Sequence, residues 1–456
     1  MAHPPNTALR DLIRHSGASH KALAHRINQL APPGAPTAYT HTSIANWVSR
    51  GMKPRPPAPR LLAAALSERL GRRVELAEIG LAGTEPIDED VGLAFPRSLP
   101  AAIQAAGTFW SHMDRRHFLN AAFSTAAFGS PTLRWMSQHA DEAAAHHGGR
   151  RIGRADITEL ADLAEQARHT DSRYGGASVG VSAVAVCLRD VCAPMLNGTY
   201  TDEVGKDLFT ATAILARLAG WADFDAGHHA RAQRQWIQAL RMARAAGDVS
   251  LGAYVLSCMA LQASLRGFHD EALDMVEAAT SATRRGSAPR VRAFLHLIEA
   301  RAHGRALRPR AAGRALAMSE RLLEAAGVRS GDDPTWIDFY TPARLAADAV
   351  EIHRDLGQPE AALRWNGQAR MPTDRFARSF GLRLAVVSSA HVQSGDLDAA
   401  LPAAHQSVDV LARVASRRAQ DYLDDLATRL APWRAQLQVG ELLRRIHPGE
   451  HRWVPA

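Results

Sequence analysis

The stretch that decides the fold is Thr42-Ser43-Ile44-Ala45-Asn46-Trp47-Val48-Ser49-Arg50-Gly51. Ile44, Trp47 and Val48 recur three and four apart, the spacing of a buried helical stripe. Ser43, Asn46 and Arg50 recur at the same spacings on a different, polar face. Thr42 is the expected N-cap, since its hydroxyl can accept from a free backbone N–H of the first turn. Gly51 is the expected stop, where a left-handed residue costs least. A short helix with apolar anchors behind and hydroxyl, amide and guanidinium groups in front has the chemistry to read base edges in a major groove. An ordinary amphipathic surface helix would carry the same pattern, so the neighbouring sequence must separate the two readings.

Upstream, Thr7 to His15 reads as a helix with Leu9, Leu12 and Ile13 inward, Asn6 or Thr7 as cap and Gly17 as stop. Ser19 caps a second helix, Lys21 to Gln29, whose apolar face is Leu23, Ala24, Ile27 and Leu30. A loop rich in Pro, Gly and Ala, from Ala31 to Thr40, precedes the Thr42 helix. Beyond it, Lys53-Pro54-Arg55-Pro56-Pro57 is a stiff basic connector suited to phosphates. Pro59 opens a fourth helix that ends at Leu70 before Gly71, and Val74 to Leu81 completes the module. Residues 1–85 hold eleven Lys/Arg against five Asp/Glu, so most of the chain's net charge of +8 lies here. A basic module beside a near-neutral body points to a polyanionic partner.

Ala22-Leu23-Ala24, Thr42 to Trp47, Gly51 and Pro54 together resemble the Cro/repressor-like (XRE-type) helix-turn-helix family. Leu66 to Leu81 (LSERLGRRVELAEIGL) resembles the form found in large actinobacterial regulators of differentiation and antibiotic production, the NsdA-like group. The resemblance covers about the first 85 residues. It implies that the helix beginning near Thr42 enters the major groove of double-stranded DNA, braced by the helix beginning at Ser19. Carried over by position, Thr42, Ser43, Asn46 and Arg50 would face bases, and Ser19, Lys21, Lys53 and Arg55 would meet phosphates. The Ala31–Thr40 insertion departs from the family's tight turn. It bears on the docking angle and offers Tyr39 or His41 as an added contact.

The rest of the chain also reads as helical. Apolar residues (AVILMFWYC) make up 46% of the 456 residues, alanine is abundant and no segment alternates with period two. A chain this long exceeds one typical core. Ala82 to about Pro100 reads as a linker. A helix from Leu99 to Ala127 then bridges to the body, and Gly129 to Gly153 reads as a loop. Asp114-Arg115-Arg116-His117-Phe118-Leu119 looks like a twin-arginine export signal. Its position behind a folded module, with no long apolar region following, excludes that reading. His146-His147 has no third ligand at a useful spacing.

From Arg154 onward, Gly227, Gly267, Gly357 and Gly395 each open a similar unit, with alanine five residues on. The first two glycines are 40 residues apart and the last two 38, with a degenerate unit at Leu307–Ala315 between them. These units resemble the tetratricopeptide repeat, though their period exceeds its usual 34. Paired helices of this kind stack, bury their faces on one another and curve into a groove.

The expected architecture is therefore all-α. A helix-turn-helix domain (1–85) and a linker with a bridging helix (86–153) precede a TPR-like α-solenoid (154–445) and a C-terminal tail (446–456). Cys187, Cys192 and Cys258 make no disulfide framework, which fits a reducing cytoplasm. The first two read as core residues rather than a redox pair. No apolar run is long enough to span a membrane. Gly175-Gly176 and Gly180 lack the lysine-serine/threonine ending of a phosphate loop. No HExxH, CxxC pair, Walker loop or Rossmann fingerprint is present, so neither an enzyme nor a metal or cofactor site is expected. The function expected is sequence-specific regulation of transcription; the resemblance points to development or secondary metabolism. A homodimer is expected, because one such module buries little area on DNA. The groove would take a peptide, small-molecule or protein effector. The alternative is a TPR-like interaction scaffold that does not read DNA sequence.

Overall fold

A computed structural model describes residues 4–31, 39–55, 57–72, 74, 76, 78–81, 90–113, 122–137, 141, 144–176, 179–327, 333–370, 372–373 and 376–448; of 179–182 only the backbone is described. The chain is all-α: the described residues contain helices and two isolated β-bridges, with no strand. No helix among them is long and apolar enough to cross a membrane. The chain divides into two compact units, Met1–Glu89 and Asp90–Ala456.

The first unit contains α1 (Thr7–Ser16), α2 (His20–Leu30), α3 (His41–Ser49) and α4 (Ala58–Leu70). One core joins them, built on Leu9, Leu23, Ile27, Ile44, Leu62 and Leu66, all at most 1% exposed. Asn6 and Ser19 cap α1 and α2 with their side chains, as their residue types demand. The third helix starts earlier than expected. Its N-cap is Thr40, not Thr42, and the Thr40 N–H donates to Ser43 Oγ at 3.2 Å. Serine at the third helical position makes that reciprocal contact available to Thr40 and to no later residue. Gly51 and Gly71 take the left-handed conformation that ends α3 and α4 (φ +58° and +64°). Val74, Ile79 and Leu81 then close the core without forming a helix.

The second unit begins with α5 (Leu99–His112), α6 (Ala126–Ser137), α7 (Arg154–Tyr174) and α8 (Val179–Cys187). A π-turn, Leu188–Cys192, leads from α8 into the short α9 (Ala193–Leu196). Helix hairpins follow: α10 (Asp202–Asp225) with α11 (His229–Ala246), α12 (Val249–Leu265) with α13 (His269–Ala282), and α14 (Pro289–Arg305) with α15 (Pro309–Ala325). Then come α16 (Pro342–Asp355) with α17 (Pro359–Asn366) and α18 (Ala377–Gln393) with α19 (Leu397–Leu411), before α20 (Arg417–Leu430) and α21 (Leu437–Ile446). Gly227, Gly267, Gly357 and Gly395 stand in the hairpin turns at positive φ, between +66° and +91°. Leu307 holds the equivalent place between α14 and α15, with φ +55° and 69% of its surface exposed. A side chain there is strained, because Cβ crowds the carbonyl in the left-handed region. The hairpins curve until the array meets its own start. Helix α7 packs on α18, and the Ala415 N–H donates to the Tyr174 carbonyl at 2.9 Å.

The stretch expected as linker and loop belongs largely to this second unit. Residues 91–97, 124–137 and Asp141 lie across α11, whose polar face is buried beneath them. Arg234 donates to the Val91 carbonyl, Gln238 to Gly92 and Ala94, and Arg244 to Trp135. Arg241, fully buried, donates to the carbonyls of Pro96 and Arg97 and pairs with Asp141 at 2.8 Å. Phe109 and Trp110 of α5 are buried, and the indole donates to Gln235 Oε1 at 3.1 Å. The polar stripe on α11 is what holds the strap. The helix expected over Leu99–Ala127 is not continuous, since Ala122–Ser124 are non-helical, and α6 runs from its end into the expected loop. His146 Nδ1 meets the Gly198 carbonyl at 2.6 Å. The Asp114–Leu119 motif lies outside the described residues, as does most of the tail.

Two stability predictions follow from these contacts. Arg241→Ala would leave Asp141 and two carbonyls unmatched and should cost about 3–5 kcal/mol; urea unfolding measures the loss, with faster amide exchange over 91–97. Leu307→Gly should stabilise the chain by about 0.5–1 kcal/mol, left-handed strain relieved less the added unfolded-state entropy, read as a raised Tm.

Candidate nucleic-acid interface

Helix α3 buries one side and leaves the other open. Ile44, Trp47 and Val48 are buried, Thr42 and Arg50 are exposed, and Ser43 and Asn46 are half-buried on the opposite side. The Asn46 backbone carbonyl accepts from the N–H groups of Arg50 (3.1 Å) and Met52 (3.4 Å), ending the helix. The Asn46 carboxamide makes no hydrogen bond among the described residues, so both its donor and its acceptor are available. Ser43 Oγ accepts from the Thr40 N–H and also meets Thr40 Oγ1 at 3.4 Å, where either hydroxyl can donate. Ser19 is used likewise: its Oγ accepts from the Ala22 N–H at 3.1 Å, and its own hydrogen remains free.

The charges of the unit divide in two. Each described carboxylate faces an arginine: Asp11 meets Arg14 at 4.0 Å, Glu68 meets Arg26 at 2.7 Å and Glu78 meets Arg72 at 2.8 Å. The Arg26 guanidinium hydrogen-bonds both Glu68 oxygens, ties α2 to α4 and holds the Glu68 carboxyl below its ordinary range. Lys21, Arg50, Lys53 and Arg55 are exposed and make no ion pair among the described residues, and the same holds of Arg10 on α1 and Arg69 on α4. Pro54 is buried between Lys53 and Arg55, which anchors the connector and leaves both cations in water. Cations so placed can meet phosphates without first breaking an internal pair.

The insertion is pinned at its end. Asn28 Nδ2 donates to the Tyr39 carbonyl at 2.9 Å, and the Tyr39 N–H donates to Asn28 Oδ1 at 3.1 Å. The Tyr39 ring packs edge-on against Trp47, with centroids 5.7 Å apart, so it supports α3 from within rather than standing free. His41 is exposed in the first turn of α3. Residues 32–38 of the insertion lie outside the described residues. Asn28 is a positioning residue that the sequence pattern does not single out, and Asn6, expected as a possible cap of the first helix, also positions the closing segment. Asn6 caps α1, donates through Nδ2 to the Ile79 carbonyl at 2.8 Å and through its backbone N–H to Val48 at 2.9 Å. Gly80 is needed beside it: φ is +65°, and a Cβ there would lie 2.6 Å from Asn6 Oδ1.

Elsewhere, no group of three or more His, Cys, Asp or Glu among the described residues could hold a metal. Cys187 and Cys192 face each other across the π-turn at 4.0 Å between sulfurs, and both are buried as free thiols. A family model described as the SP15 N-terminal domain matches residues 9–82, which is most of the first unit. The chain matches no curated protein.

Asn6→Ala should destabilise the first unit by about 1–2 kcal/mol through the lost cap and the orphaned Ile79 carbonyl. Amide exchange at α1 and the end of α3 should quicken, while α10–α20 keep their protection. Gly80→Ala should act on the same amides; unchanged exchange there would remove Asn6 and Gly80 as the clasp.

Proposed function

We propose that the chain is a sequence-specific double-stranded DNA-binding regulator of transcription. Its first unit acts as a helix-turn-helix module of the XRE type. Its second unit, a TPR-like α-solenoid, serves dimerisation and the binding of an effector or partner. The observation that carries this reading is the division of charge in the first unit. Internal carboxylates are matched by Arg14, Arg26 and Arg72, while Lys21, Arg50, Lys53 and Arg55, with Arg10 and Arg69, are left to an outside anion. The open carboxamide of Asn46 supports a sequence-reading role, since a carboxamide can bond an adenine edge with donor and acceptor together. Ser43 and Thr42 flank it as hydroxyl donors, and Arg50 is suited to guanine or phosphate. Ser19, Lys21, Lys53 and Arg55 would position the unit on the backbone. A homodimer on paired half-sites would supply the area that one module lacks. The resemblance to regulators of development or secondary metabolism suggests targets of that kind, in a cytoplasmic setting.

The test is selection of bound fragments from sheared genomic DNA by the purified chain, beside an Asn46→Ala/Arg50→Ala double variant. A recurrent inverted repeat, enriched by the wild type alone, is the expected result and gives the half-site spacing. On that site each single change should cost about 1–3 kcal/mol and relax specificity at one position. Lys53→Ala should weaken all sequences about equally and reduce the slope of log affinity against log salt by about 1. Equal binding by wild type and double variant would overturn the base-reading role of α3. Binding to no sequence would favour an interaction scaffold instead.

A further inference from the structure

The inner side of the curved helix array encloses a cavity lined from α7, α10, α12, α14, α16, α18 and α20. Most arginines on its wall are matched by carboxylates; Arg217 and Arg383 are not. Arg301 and Arg344 share Asp348, and Arg301 also meets Glu351. Arg378 pairs with Asp171 and Asp225, and Arg418 with Asp225. Arg217 is only 5% exposed and has no carboxylate within ion-pair distance among the described residues. Its guanidinium lies 5.1 Å from the centre of the Tyr254 ring and beside the Cys258 thiol, whose titration burial pushes up to about 11. A cation on an aromatic face is partly stabilised. A buried guanidinium still calls for an anion, and its planar fork fits two carboxylate oxygens.

The surroundings define the rest of the ligand. Tyr254, Phe294 and Phe339 form one aromatic wall, with Tyr254 stacked on Trp336 at 4.8 Å and meeting Phe294 edge-on at 5.7 Å. Phe294 and Phe339 line the cavity and are only partly buried. A second guanidinium on the wall, Arg383, has an asparagine, Asn366, rather than a carboxylate as its partner. We propose that this cavity binds an organic acid with a flat or branched apolar body, its carboxylate held by Arg217 and its body against the Tyr254–Phe294–Phe339 wall. The assignment deepens the reading of the second unit as an effector-binding domain and rests on it.

The experiment is calorimetric titration of the full-length protein, without DNA, with 3-phenylpropionate and with its uncharged amide. The acid should bind at least about tenfold more tightly than the amide, the worth of a charge-assisted pair. Arg217→Gln should abolish that preference. The unliganded variant should keep or exceed the wild-type Tm, because a charge without a partner has been removed, whereas Arg301→Gln, which breaks matched pairs, should lower it. A pentapeptide ending in a phenylalanine carboxylate, beside its C-terminal amide, separates the two sources of the group. Tighter binding of the peptide assigns the site to a chain terminus, and tighter binding of 3-phenylpropionate to a free acid. Equal affinity for acid and amide in the wild type overturns the proposal without needing any variant. So does absence of binding by either acid at millimolar concentration. Operator binding by the same preparation without acid is scored separately, so failure here and failure of DNA recognition are distinguishable.

Discussion

A guanidinium removed from water must find a carboxylate or a set of carbonyl oxygens, and the second unit is built around that demand. Arg378, fully enclosed, holds Asp171 of α7 and Asp225 of α10 from its place on α18. Burial alone would raise the Asp225 carboxyl; Arg378 and Arg418 instead hold it down at about 2. These groups come from sequence positions more than 150 residues apart, so the pairs fix how far the helix array curves. Breaking a buried pair strands its partner, which makes such contacts determine geometry more than they add net stability.

The same demand, met differently, attaches the strap to α11. Gln238 and Arg241 saturate carbonyls of an irregular segment that has no secondary structure to do so. A buried loop is otherwise costly, because each unmatched backbone group forfeits its bonds to water. The long donor-rich side chains of α11 remove that cost, and residues 91–97 can lie flat on a helix face. Arg217 stands apart because the same rule is left unfulfilled there.

In the first unit the organising group is a neutral amide. Asn6 joins the start of α1, the end of α3 and the closing segment through three hydrogen bonds. Rigid support beneath α3 matters for any recognition surface, since a polar face can select a partner only if its donors and acceptors are held in place. Asn28 and the Tyr39–Trp47 contact brace α3 from its other end.

Periodicity and end signals in the sequence sufficed for the all-α class and for four N-terminal helices to within a residue or two. They also located α3's buried and polar faces and the turn glycines at 227, 267, 357 and 395. All of these are local: helical stripes recur at three and four residues, and left-handed turns favour glycine. What lay beyond that reading was long-range. Thr40 displaced Thr42 as cap because the backbone enters α3 extended at Thr40 and Ser43 completes the pair. Leu307 took a glycine's conformation because hairpin geometry overrode its own preference. The strap across the polar stripe of α11 joins residues 100 to 146 positions apart, which no local pattern reports. Arg217 is one of many arginines in a chain rich in them. Only the folded arrangement, by burying it almost completely without a carboxylate beside it, sets it apart.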